Sequence, residues 1–459
     1  MTMADSAAER LAAWSAGLLW RDVPDDQRSL VGLRVLDTVG LVLAGYETQA
    51  ARAAFAIGRK QGGTAESSLF LAGERTSAAT AALVHGTVAH CRDFDDTFLD
   101  SVVHPGSTVV ATALAVGEAE RRPDEEIATA ILAGYEAAAR IGAFAGRRFH
   151  ARGFHATGIV GPLSAALVAA GLYRLSASAT ADALGLAASM SGGLMAFVDD
   201  GAWSKWLHVG WSAHGGIVAA QLAGQGFRGP RGVFDGAHNL FAAFLDAPAP
   251  EADALCGGLG RRWQGSEAHF KYYPCAHVIQ PYIDAAIALR GRHQLLPDAI
   301  ERVTCSIAPW AVPIVCTPRA PKLRPADDMD AIASLPYQVA VALNDGRVDL
   351  DALGPACRAR ADVLDLTARI EHAADESLGR GFDGAIAIRL KSGEVLQEPV
   401  SSAPPDHAKL LAKFRANARR AVDQSTAAGL EQTILGGALP RFGELAIALG
   451  NAGYRALER

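Results

Sequence analysis

The residues best suited to chemistry lie in one short stretch, HCRDFDDT at 90–97, which His104-Pro105 follows closely. Residues 90–97 and His104 together supply three carboxylates, a hydroxyl and two imidazoles in an otherwise apolar, alanine-rich sequence. Such groups are costly to bury unless each is hydrogen-bonded, paired or solvated. Carboxylates and imidazoles are also the groups that most often move protons in enzymes. The stretch therefore predicts a site of acid–base chemistry.

The spacing within this stretch allows more than one interpretation. On a helix, Asp93 and Thr97 would share one face, because residues four apart lie above one another. Pro105 disfavours helix at His104, which is therefore expected on a loop just beyond. Alternatively, the Asp and Thr side chains cap a helix N-terminus and have no catalytic role. The cluster could also bind a divalent ion, but proton transfer needs no metal, and we favour a site without metal or cofactor.

Two later segments carry further candidates. The segment GFHATG at 153–158 has a glycine at each end, which allows a tight turn that presents His155 and Thr157 near a helix start. A helix N-terminus attracts carboxylate groups. Lys205 and His208 stand among tryptophans and glycines, where partial desolvation strengthens the attraction of a lysine for an anion. A lysine that extends its amine into solvent is an equally good interpretation.

A fourth segment, HFKYYPCAH at 269–277, lies at a predicted domain boundary, where ligand clefts often form. Lys271 could hold a carboxylate there. Cys275 is expected to be a packing residue, since nothing near it in the sequence supports an activated thiol. The chain has no Walker loop, no GxGxxG after a strand in its first domain, no HExxH, no CxxC pair and no GxSxG elbow.

Helices must position most of these residues. The sequence up to about residue 265 reads as helix almost throughout, and alanine favours both helix formation and close packing of helix axes. The alanine-rich helical segments are 107–120, 126–145, 161–173, 179–190 and 211–225.

The pattern changes after about residue 266. Strand-like alternation is expected at 302–307 and 364–371, and a hairpin at 384–396, with helices at about 277–291 and 327–344. We predict a mainly α fold. A large all-helical domain comprises residues 1–266 and is completed by 405–459, and a smaller inserted α/β (α+β) domain spans 267–404.

Composition excludes several classes of protein. A net charge of −6 with no basic stripe or polybasic run argues against binding to nucleic acid or a membrane surface. Six cysteines in 459 residues, none in a CxxC pair, are typical of reduced thiols in a cytoplasmic protein. No secretion signal is evident at the N-terminus. The uncharged run 156–173 contains glycines and a proline and is expected to be a buried helix rather than a membrane span.

Taken together, the segments resemble the MmgE/PrpD family, which includes 2-methylcitrate dehydratase, cis-aconitate decarboxylase and iminodisuccinate epimerase. Any one motif is weak, but the set runs in family order across nearly the whole chain. The matching segments are HxxDFDDT at 90–97 with His104-Pro105, GFHxTG at 153–158, SKxLHxGWxA at 204–213, GFxGP at 226–230, KxYPC at 271–275, SLPY at 334–337 and Lys413-Phe414.

The resemblance implies a helical domain that the C-terminus completes, a smaller α/β domain, a homodimer, and a set of site residues. The implied catalytic residues are Asp93, His104, His155 and Lys205, and the implied substrate-binding residues are Thr97, His208, Lys271 and Tyr337. One departure concerns Tyr337: the family often has a basic and an aromatic residue before the serine of SLPY, where this chain has Ile332-Ala333.

The resemblance also implies a reaction class. Known substrates of the family are small polycarboxylates, whose charges lysines and histidines would neutralise, while His104 or Asp93 moves a proton next to a carboxylate and His155 acts as the partner acid. A hydro-lyase of the 2-methylcitrate dehydratase type is the first expectation. A cis-aconitate decarboxylase-like carboxy-lyase is the second, and an iminodisuccinate epimerase-like isomerase the third. From a different class, a non-catalytic ligand-binding protein with this fold is the remaining alternative.

Overall fold

The computed structural model describes residues 5–379, 381–402 and 404–452. The chain divides into two compact units, Met1–Phe270 with His407–Arg459, and Lys271–Asp406. Among the described residues, the first unit is built from helices and two short two-stranded sheets, while the second contains a four-stranded sheet. A mainly α chain with a minor α/β part is thus confirmed. The domain boundaries taken from the sequence stay a prediction.

Helices occupy every alanine-rich segment for which the sequence predicts them. The helices up to residue 256 are α1 (Ala7–Gly17), α2 (Asp25–Gly45), α3 (Gln49–Gln61), α4 (Ala78–His90), α5 (Gly106–Ala119), α6 (Asp124–Ala145), α7 (Arg148–Ala151), α8 (Ala156–Leu172), α9 (Ala177–Ser189), α10 (Phe197–Asp200), α11 (Ser204–Gly224), α12 (Leu240–Leu245) and α13 (Ala252–Cys256). The short strands of this unit are β1 (Ser67–Leu69), β2 (Glu74–Thr76), β3 (Thr97–Phe98) and β4 (Ala268–His269), paired β1 with β2 and β3 with β4.

Three of these helices, α4, α8 and α11, form a closely packed centre. Glycine makes the close approach possible: a Cβ on Gly86 of α4 would lie 3.0 Å from the Cα of Gly210 on α11. On the other side of α11, a Cβ on Gly216 would collide with Ala165 of α8. Every residue of α4 is buried. The ends of these helices therefore have fixed positions, and two of the predicted site residues, His155 and Lys205, lie at the starts of α8 and α11.

The helix α4 illustrates how local sequence sets an element. Ser77 precedes it in extended conformation, and its side-chain oxygen accepts a hydrogen bond from the backbone N–H of Thr80, a favoured N-cap arrangement. Alanine, leucine and valine then fill the helix. Because every residue of α4 is buried, the helix is enclosed on all sides, as a core helix of a large domain is.

One helix among the described residues, α6, is long and apolar enough to cross a membrane, and α2 with α3 would qualify only as a pair bent by 97°. Within α6, however, 89% of the apolar window is buried inside the protein. The run 156–173 forms α8, in which all residues but Gly171 are buried, as the sequence predicts. Burial of this kind is typical of the core helices of soluble proteins.

The second unit contains the predicted sheet with one correction. Its helices are α14 (Gln280–His293), α15 (Val312–Val315), α16 (Arg319–Leu323), α17 (Asp328–Ile332), α18 (Leu335–Asp345), α19 (Pro355–Arg358) and α20 (Ala361–Ala368), and its strands are β5 (Ile300–Ile307), β6 (Ile370–Ala374), β7 (Gly384–Leu390) and β8 (Val395–Val400). The strand order is β6-β5-β7-β8, with β5 parallel to β6 and the other neighbours antiparallel.

The strand predicted at 364–371 is wrong for most of its length, because helix α20 extends to Ala368 and β6 begins only at Ile370. Val363, Leu366 and Thr367 are the buried residues of α20, three and four positions apart, so one face of a helix accounts for them. The helix predicted at 327–344 is interrupted at Ala333-Ser334. Ser334 caps α18 by accepting from the N–H of Tyr337.

The chain returns to the first unit through α21 (His407–Ala418), α22 (Gln424–Leu435) and α23 (Phe442–Asn451). Helix α21 packs closely on α2, where a Cβ on Gly40 would lie 3.0 Å from the ring of Phe414. The C-terminal segment thus groups with the first unit.

Candidate active site

Residues 91–96 form a loop rather than a helix, which corrects the expectation that Asp93 and Thr97 share a helix face. Helix α4 ends at His90, and Asp93 adopts φ of +45°, in the left-handed region that Asp tolerates better than most residues. Thr97 then begins β3, where it pairs with His269. His104 lies on the loop before α5, as predicted. The polar groups therefore converge through loop geometry and not through helical spacing.

Asp95 joins the two histidines of this stretch. Its carboxylate accepts from Nδ1 of His90 at 2.8 Å and from the hydroxyl of Ser107 at 2.8 Å, and it lies 3.4 Å from Nδ1 of His104. Nδ1 of His104 is also 3.2 Å from the backbone oxygen of Asp96. The hydroxyl of Thr97 lies 3.1 Å from the same nitrogen. His90 and His104 are thus held by one carboxylate.

Asp93 continues the series toward α11. One carboxylate oxygen lies 4.0 Å from Nε2 of His104, and the other lies 2.6 Å from Nζ of Lys205. Lys205 is 8% exposed and Asp93 6%, so their ion pair is largely removed from water. The structure therefore favours the enclosed lysine over the solvent-extended one. These side chains form a continuous series, in the order His90, Asp95, His104, Asp93 and Lys205, in which imidazoles and carboxylates alternate and the last group is the Lys205 ammonium.

His155 reaches the same place from the start of α8. It is the residue before the helix, and its backbone N–H donates to the oxygen of Gly193. Its ring lies 5.9 Å from that of His90 and 6.3 Å from that of His104, and its Nδ1 is 3.3 Å from Nδ1 of His208. The hydroxyl of Thr157 accepts from the backbone N–H of His104, which ties α8 to the loop.

Burial sets the charge state of these last two histidines. Burial, with a further effect of the Lys205 charge and the neighbouring histidines, holds the pKa of His155 well below its usual range. Burial likewise lowers the pKa of His208 to about 4. Both imidazoles are therefore neutral near pH 7, and negative charge brought close to either one favours its protonation.

Some ring nitrogens in this cluster have no protein partner. Nε2 of His90 and Nε2 of His155 are buried and accept or donate no hydrogen bond among the described residues. His90, His104 and His155 each place one ligand atom within 4.8 Å of the others, and His90, Asp93, Asp95 and His104 form a second such group. Imidazole and carboxylate groups at this spacing have the donor chemistry to hold a divalent transition-metal ion. They have equally the chemistry to bind and protonate a substrate.

Asp96 faces away from this series and has a structural environment. Its carboxylate accepts from Arg34 at 3.0 Å, from the hydroxyl of Tyr135 at 2.6 Å and from the backbone N–H of Gly106 at 2.9 Å. Arg34 is 1% exposed and also donates to the backbone oxygen of Gly265. Burial raises the pKa of Asp96 while Arg34 and Tyr135 oppose the rise. Asp96 thus anchors the loop and the start of α5.

A second buried ion pair supports the loop from the C-terminal segment. Nζ of Lys413 lies 2.6 Å from Asp37 of α2 and donates to the backbone oxygen of Phe94 at 2.7 Å. Burial raises the pKa of Asp37 to about 7, against the opposing effect of Lys413. Lys413 lies in one of the motif segments, and the structure gives it a role in loop support.

The predicted site residues fall into two groups. Those brought together in the first unit are Asp93, Thr97, His104, His155, Lys205 and His208. Lys271 and Tyr337 belong to the second unit, where Lys271 is 1% exposed and the hydroxyl of Tyr337 donates to the backbone oxygen of Ala352 at 2.6 Å. Their predicted contact with substrate stays a prediction. Cys275 is fully buried beside Gln280, as expected of a packing residue.

His90, Asp95 and Ser107 contribute to this site but were given no catalytic or substrate-binding role from the sequence. His90 and Asp95 both lie in the HxxDFDDT motif, which is the signal that could have identified them. Ser107 lies in the first turn of α5, where a serine is common for local reasons, so the sequence offered no reason to select it.

Comparison with known proteins finds two matching family domains. The MmgE/PrpD N-terminal domain matches residues 9–253, and the MmgE/PrpD C-terminal domain matches residues 273–435. Cis-aconitate decarboxylase of Aspergillus terreus is 24% identical over 392 residues, which cover 79% of this chain and 79% of that protein. The cis-aconitate decarboxylase-like protein oryM of Aspergillus oryzae is 24% identical, covering 95% and 96%. Human cis-aconitate decarboxylase is 28% identical, covering 76% and 74%.

Proposed function

The chain belongs to the MmgE/PrpD family, and from this premise we propose that it is a carboxy-lyase that removes CO2 from cis-aconitate or a closely similar unsaturated tricarboxylate. The prediction of a lyase is confirmed, because the matched relatives are decarboxylases. The dehydratase favoured from the sequence is not confirmed, and the decarboxylase alternative fits these relatives better. The observation that carries the proposal is the buried series His90–Asp95–His104–Asp93–Lys205 in a chain with such relatives.

The chemistry requires groups that hold carboxylates and one group that delivers a proton. Cis-aconitate has a carboxylate on a methylene next to its carbon–carbon double bond. Breaking the bond between that methylene and its carboxylate releases CO2 and leaves the electron pair in an allyl system, which the remaining carboxylates and nearby positive charges stabilise. A proton added at the far carbon of the allyl system gives a dicarboxylate product. Each turnover therefore consumes one proton.

The residues of the first unit match these needs. Lys205, held 2.6 Å from Asp93 in a largely buried position, supplies positive charge toward which a substrate carboxylate is drawn, and the attraction is stronger there than in bulk water. His104 is the proposed proton donor through Nε2, since its Nδ1 is engaged by the oxygens of Asp95 and Asp96. His155, neutral in the empty site, becomes a donor when the substrate's charges arrive.

The proposal is tested with a panel of cis-aconitate, 2-methylcitrate, citrate and iminodisuccinate, followed by proton NMR in deuterated water. We expect loss of CO2 from cis-aconitate and a product with one deuterium at the protonated carbon. Loss of water from 2-methylcitrate with no decarboxylation of cis-aconitate would support the dehydratase instead. Inversion or exchange alone would indicate an epimerase, and an inert enzyme across the panel would contradict the proposal.

A pair of variants, one at the proposed site and one on the surface, tests whether the measured decarboxylation belongs to this protein and depends on Lys205. Lys205→Met keeps an unbranched side chain of similar length and removes the charge, so we expect a higher KM for the tricarboxylate and slower turnover. Arg302, an exposed residue on β5, provides a control through Arg302→Met, which removes one positive charge from the second unit's surface. Equal activity of wild type and Lys205→Met would remove Lys205 from the mechanism.

We also propose that the protein is a homodimer, as the family resemblance implies. Trp203, Leu207 and Trp211 lie four residues apart at the start and along one face of α11 and are 44%, 49% and 53% exposed. A stripe of large apolar side chains exposed in a single chain is typical of a surface that another protein covers. A second copy is the occupant proposed here.

We propose the cytoplasm as the location, because none of the six cysteines, all of which lie in the described residues, forms a disulfide.

Light scattering tests the dimer. Two copies of the 47.9 kDa chain are expected for the wild type, and a single copy for the double variant Leu207→Glu with Trp211→Glu. Ile447→Glu is the control, because Ile447 is 64% exposed on α23 and outside the stripe. A monomeric wild type would contradict the proposal.

A further inference from the structure

Asp95 makes contacts that differ from those of every other carboxylate at the site. Its carboxylate accepts a hydrogen bond from Nδ1 of His90 at 2.8 Å and another from the hydroxyl of Ser107 at 2.8 Å. It also lies 3.4 Å from Nδ1 of His104. All four side chains are at most 4% exposed. The Asp95 carboxylate, which is shielded from water, thus contacts the Nδ1 atom of His90 and the Nδ1 atom of His104. The centroids of these two rings are 5.0 Å apart.

These contacts decide where the hydrogens of the neutral imidazoles lie. A carboxylate or a backbone oxygen can only accept, so the contacts with Asp95 and with the backbone oxygen of Asp96 place the hydrogen on Nδ1 of His90 and on Nδ1 of His104. The Thr97 hydroxyl, 3.1 Å from Nδ1 of His104, is then an acceptor at that nitrogen. In a neutral imidazole the other nitrogen then has the lone pair. Nε2 of His90 is buried with no hydrogen-bond partner among the described residues, and Nε2 of His104 lies 4.0 Å from Asp93.

We propose that Asp95 is a positioning residue that fixes His90 and His104 together in the Nδ1–H tautomer, and that His90 thereby joins His104 as a second imidazole of the catalytic site. The catalytic consequence rests on the proposed decarboxylase, whereas the tautomers are a property of the enzyme without substrate. Both Nε2 atoms are then kept as the reactive nitrogens. When the negatively charged substrate binds, one Nε2 takes up a proton from solvent and passes it to the substrate, which returns that imidazole to the neutral Nδ1–H form. The other Nε2 accepts a hydrogen bond from a protonated substrate group or a water molecule.

The neighbouring carboxylate provides an internal comparison. Asp96 is as deeply buried as Asp95, 2% against 1% exposed, but its side-chain oxygens contact Arg34, Tyr135 and the backbone N–H of Gly106. No imidazole is among those side-chain partners. A change at Asp96 therefore disturbs the same loop without changing the acceptor of either histidine.

The first test uses the wild-type enzyme without substrate, labelled with 15N-histidine. The two ring nitrogens of a neutral histidine give separate signals according to which one carries the hydrogen, and His90→Gln and His104→Gln assign the two residues. We expect both to show hydrogen on Nδ1 at a pH where they are neutral. Hydrogen on Nε2 of either residue would overturn the proposal, whatever the enzyme's reaction proves to be.

The second test compares Asp95→Asn with Asp96→Asn. The amide of Asp95→Asn has one acceptor oxygen in place of two, and its NH2 group can only donate, so one imidazole loses its acceptor and moves its hydrogen to Nε2. We expect a tautomer change in Asp95→Asn alone, with kcat lower by roughly 10²–10⁴-fold, by analogy with loss of a tautomer-fixing carboxylate in other enzymes, and with KM unchanged.

The outcomes separate positioning from support of the fold. A merely structural Asp95 would lower the yield or the melting temperature while the folded fraction kept its kcat and its histidine signals. That result overturns the proposal, as does a tautomer change without loss of turnover. If Asp95→Asn does not fold, the wild-type tautomers still decide. If the wild type turns over no tricarboxylate, the proposed function fails while the tautomer result stands on its own.

Discussion

Two buried polar networks meet at the loop 91–96 and differ in how their groups are used. In the Asp96 network, the Asp96 carboxylate accepts hydrogen bonds from Arg34, from the hydroxyl of Tyr135 and from the backbone N–H of Gly106. Both of its oxygens are therefore already hydrogen-bonded within the protein. In the histidine cluster, formed by His90, His104, His155 and His208, Nδ1 of His90 and Nδ1 of His104 face Asp95. Nε2 of His90 and Nε2 of His155 have no hydrogen-bond partner in the part of the chain that the structure describes. Burial of charge is common to both. Only the second network keeps nitrogen atoms for another molecule.

A lone buried histidine sharpens this lesson. His85 accepts the backbone N–H of Phe70 through Nε2 and stacks on the Phe70 ring at 3.7 Å. Its Nδ1 also has no hydrogen-bond partner among the described residues, yet apolar burial is the one cause of its lowered pKa, about 3. An unpaired nitrogen therefore does not by itself mark a site. Several such nitrogens within reach of carboxylates and a lysine do.

The largest expected effect is loss of turnover on changing the histidine cluster. His104→Gln keeps a polar side chain of similar size but removes the titrating nitrogen, so kcat/KM should fall by roughly 10²–10⁴-fold. The melting temperature should stay close to that of the wild type. Steady-state kinetics on cis-aconitate and thermal unfolding measure the two effects. Near-normal turnover would show that the cluster, despite its unpaired nitrogens, is structural.

The opposite result is expected for the Asp96 network. Arg34→Met leaves the Asp96 carboxylate buried without its cation, which costs about 3–5 kcal/mol of unfolding free energy in comparable buried pairs. Urea unfolding measures the loss, and kcat of the folded fraction should change little.

The double variant Arg34→Met with Asp96→Asn serves as the control, since removing both charges should recover part of that stability. If Arg34→Met instead abolished turnover at unchanged stability, the division between the two networks would be wrong.

For His85 we expect a smaller effect, on the pH dependence of the unfolding free energy. His85 has a pKa of about 3 in the folded protein, against about 6.5 when unfolded, so below pH 6.5 the unfolded chain binds a proton that the folded protein does not. This lowers the unfolding free energy by about 1.4 kcal/mol for each pH unit below 6.5, until the pH reaches the folded pKa. His85→Gln should reduce the slope between pH 6.5 and 5 by that amount in urea titrations. An unchanged slope would mean that His85 is not buried as a neutral imidazole.

The smallest expected effect is proton uptake on ligand binding. His155 is neutral in the empty cluster, and the negative charges of a bound tricarboxylate should raise its pKa, so binding takes up a fraction of a proton near pH 7. Calorimetry with citrate in buffers of different ionisation enthalpy measures this fraction. It should diminish in His155→Gln and persist in His85→Gln. Equal uptake in both variants would assign the proton to another group.

Much of the fold was predictable because the signals are local. Alanine-rich segments became helices α5, α6, α8, α9 and α11, and the Lys391–Glu394 turn joined strands β7 and β8 as an antiparallel hairpin. The errors also have local causes. The residues 364–371 satisfy a helical as well as an alternating pattern, and Ser334 with Pro336 begins a new helix inside a predicted one. Such short ambiguities are resolved by packing rather than by propensity.

Three properties follow from the order of residues alone, since each depends on neighbours along the chain: the residue types available for proton transfer, the resemblance to a family and the helical character of the first unit. The tertiary structure decided which of these residues meet. Lys205 lies 2.6 Å from Asp93 although 112 positions separate them, because closely packed glycine surfaces fix the ends of α4, α8 and α11 side by side. It also decided the acceptors of His90 and His104, because hydrogen positions on imidazoles depend on contacts in space.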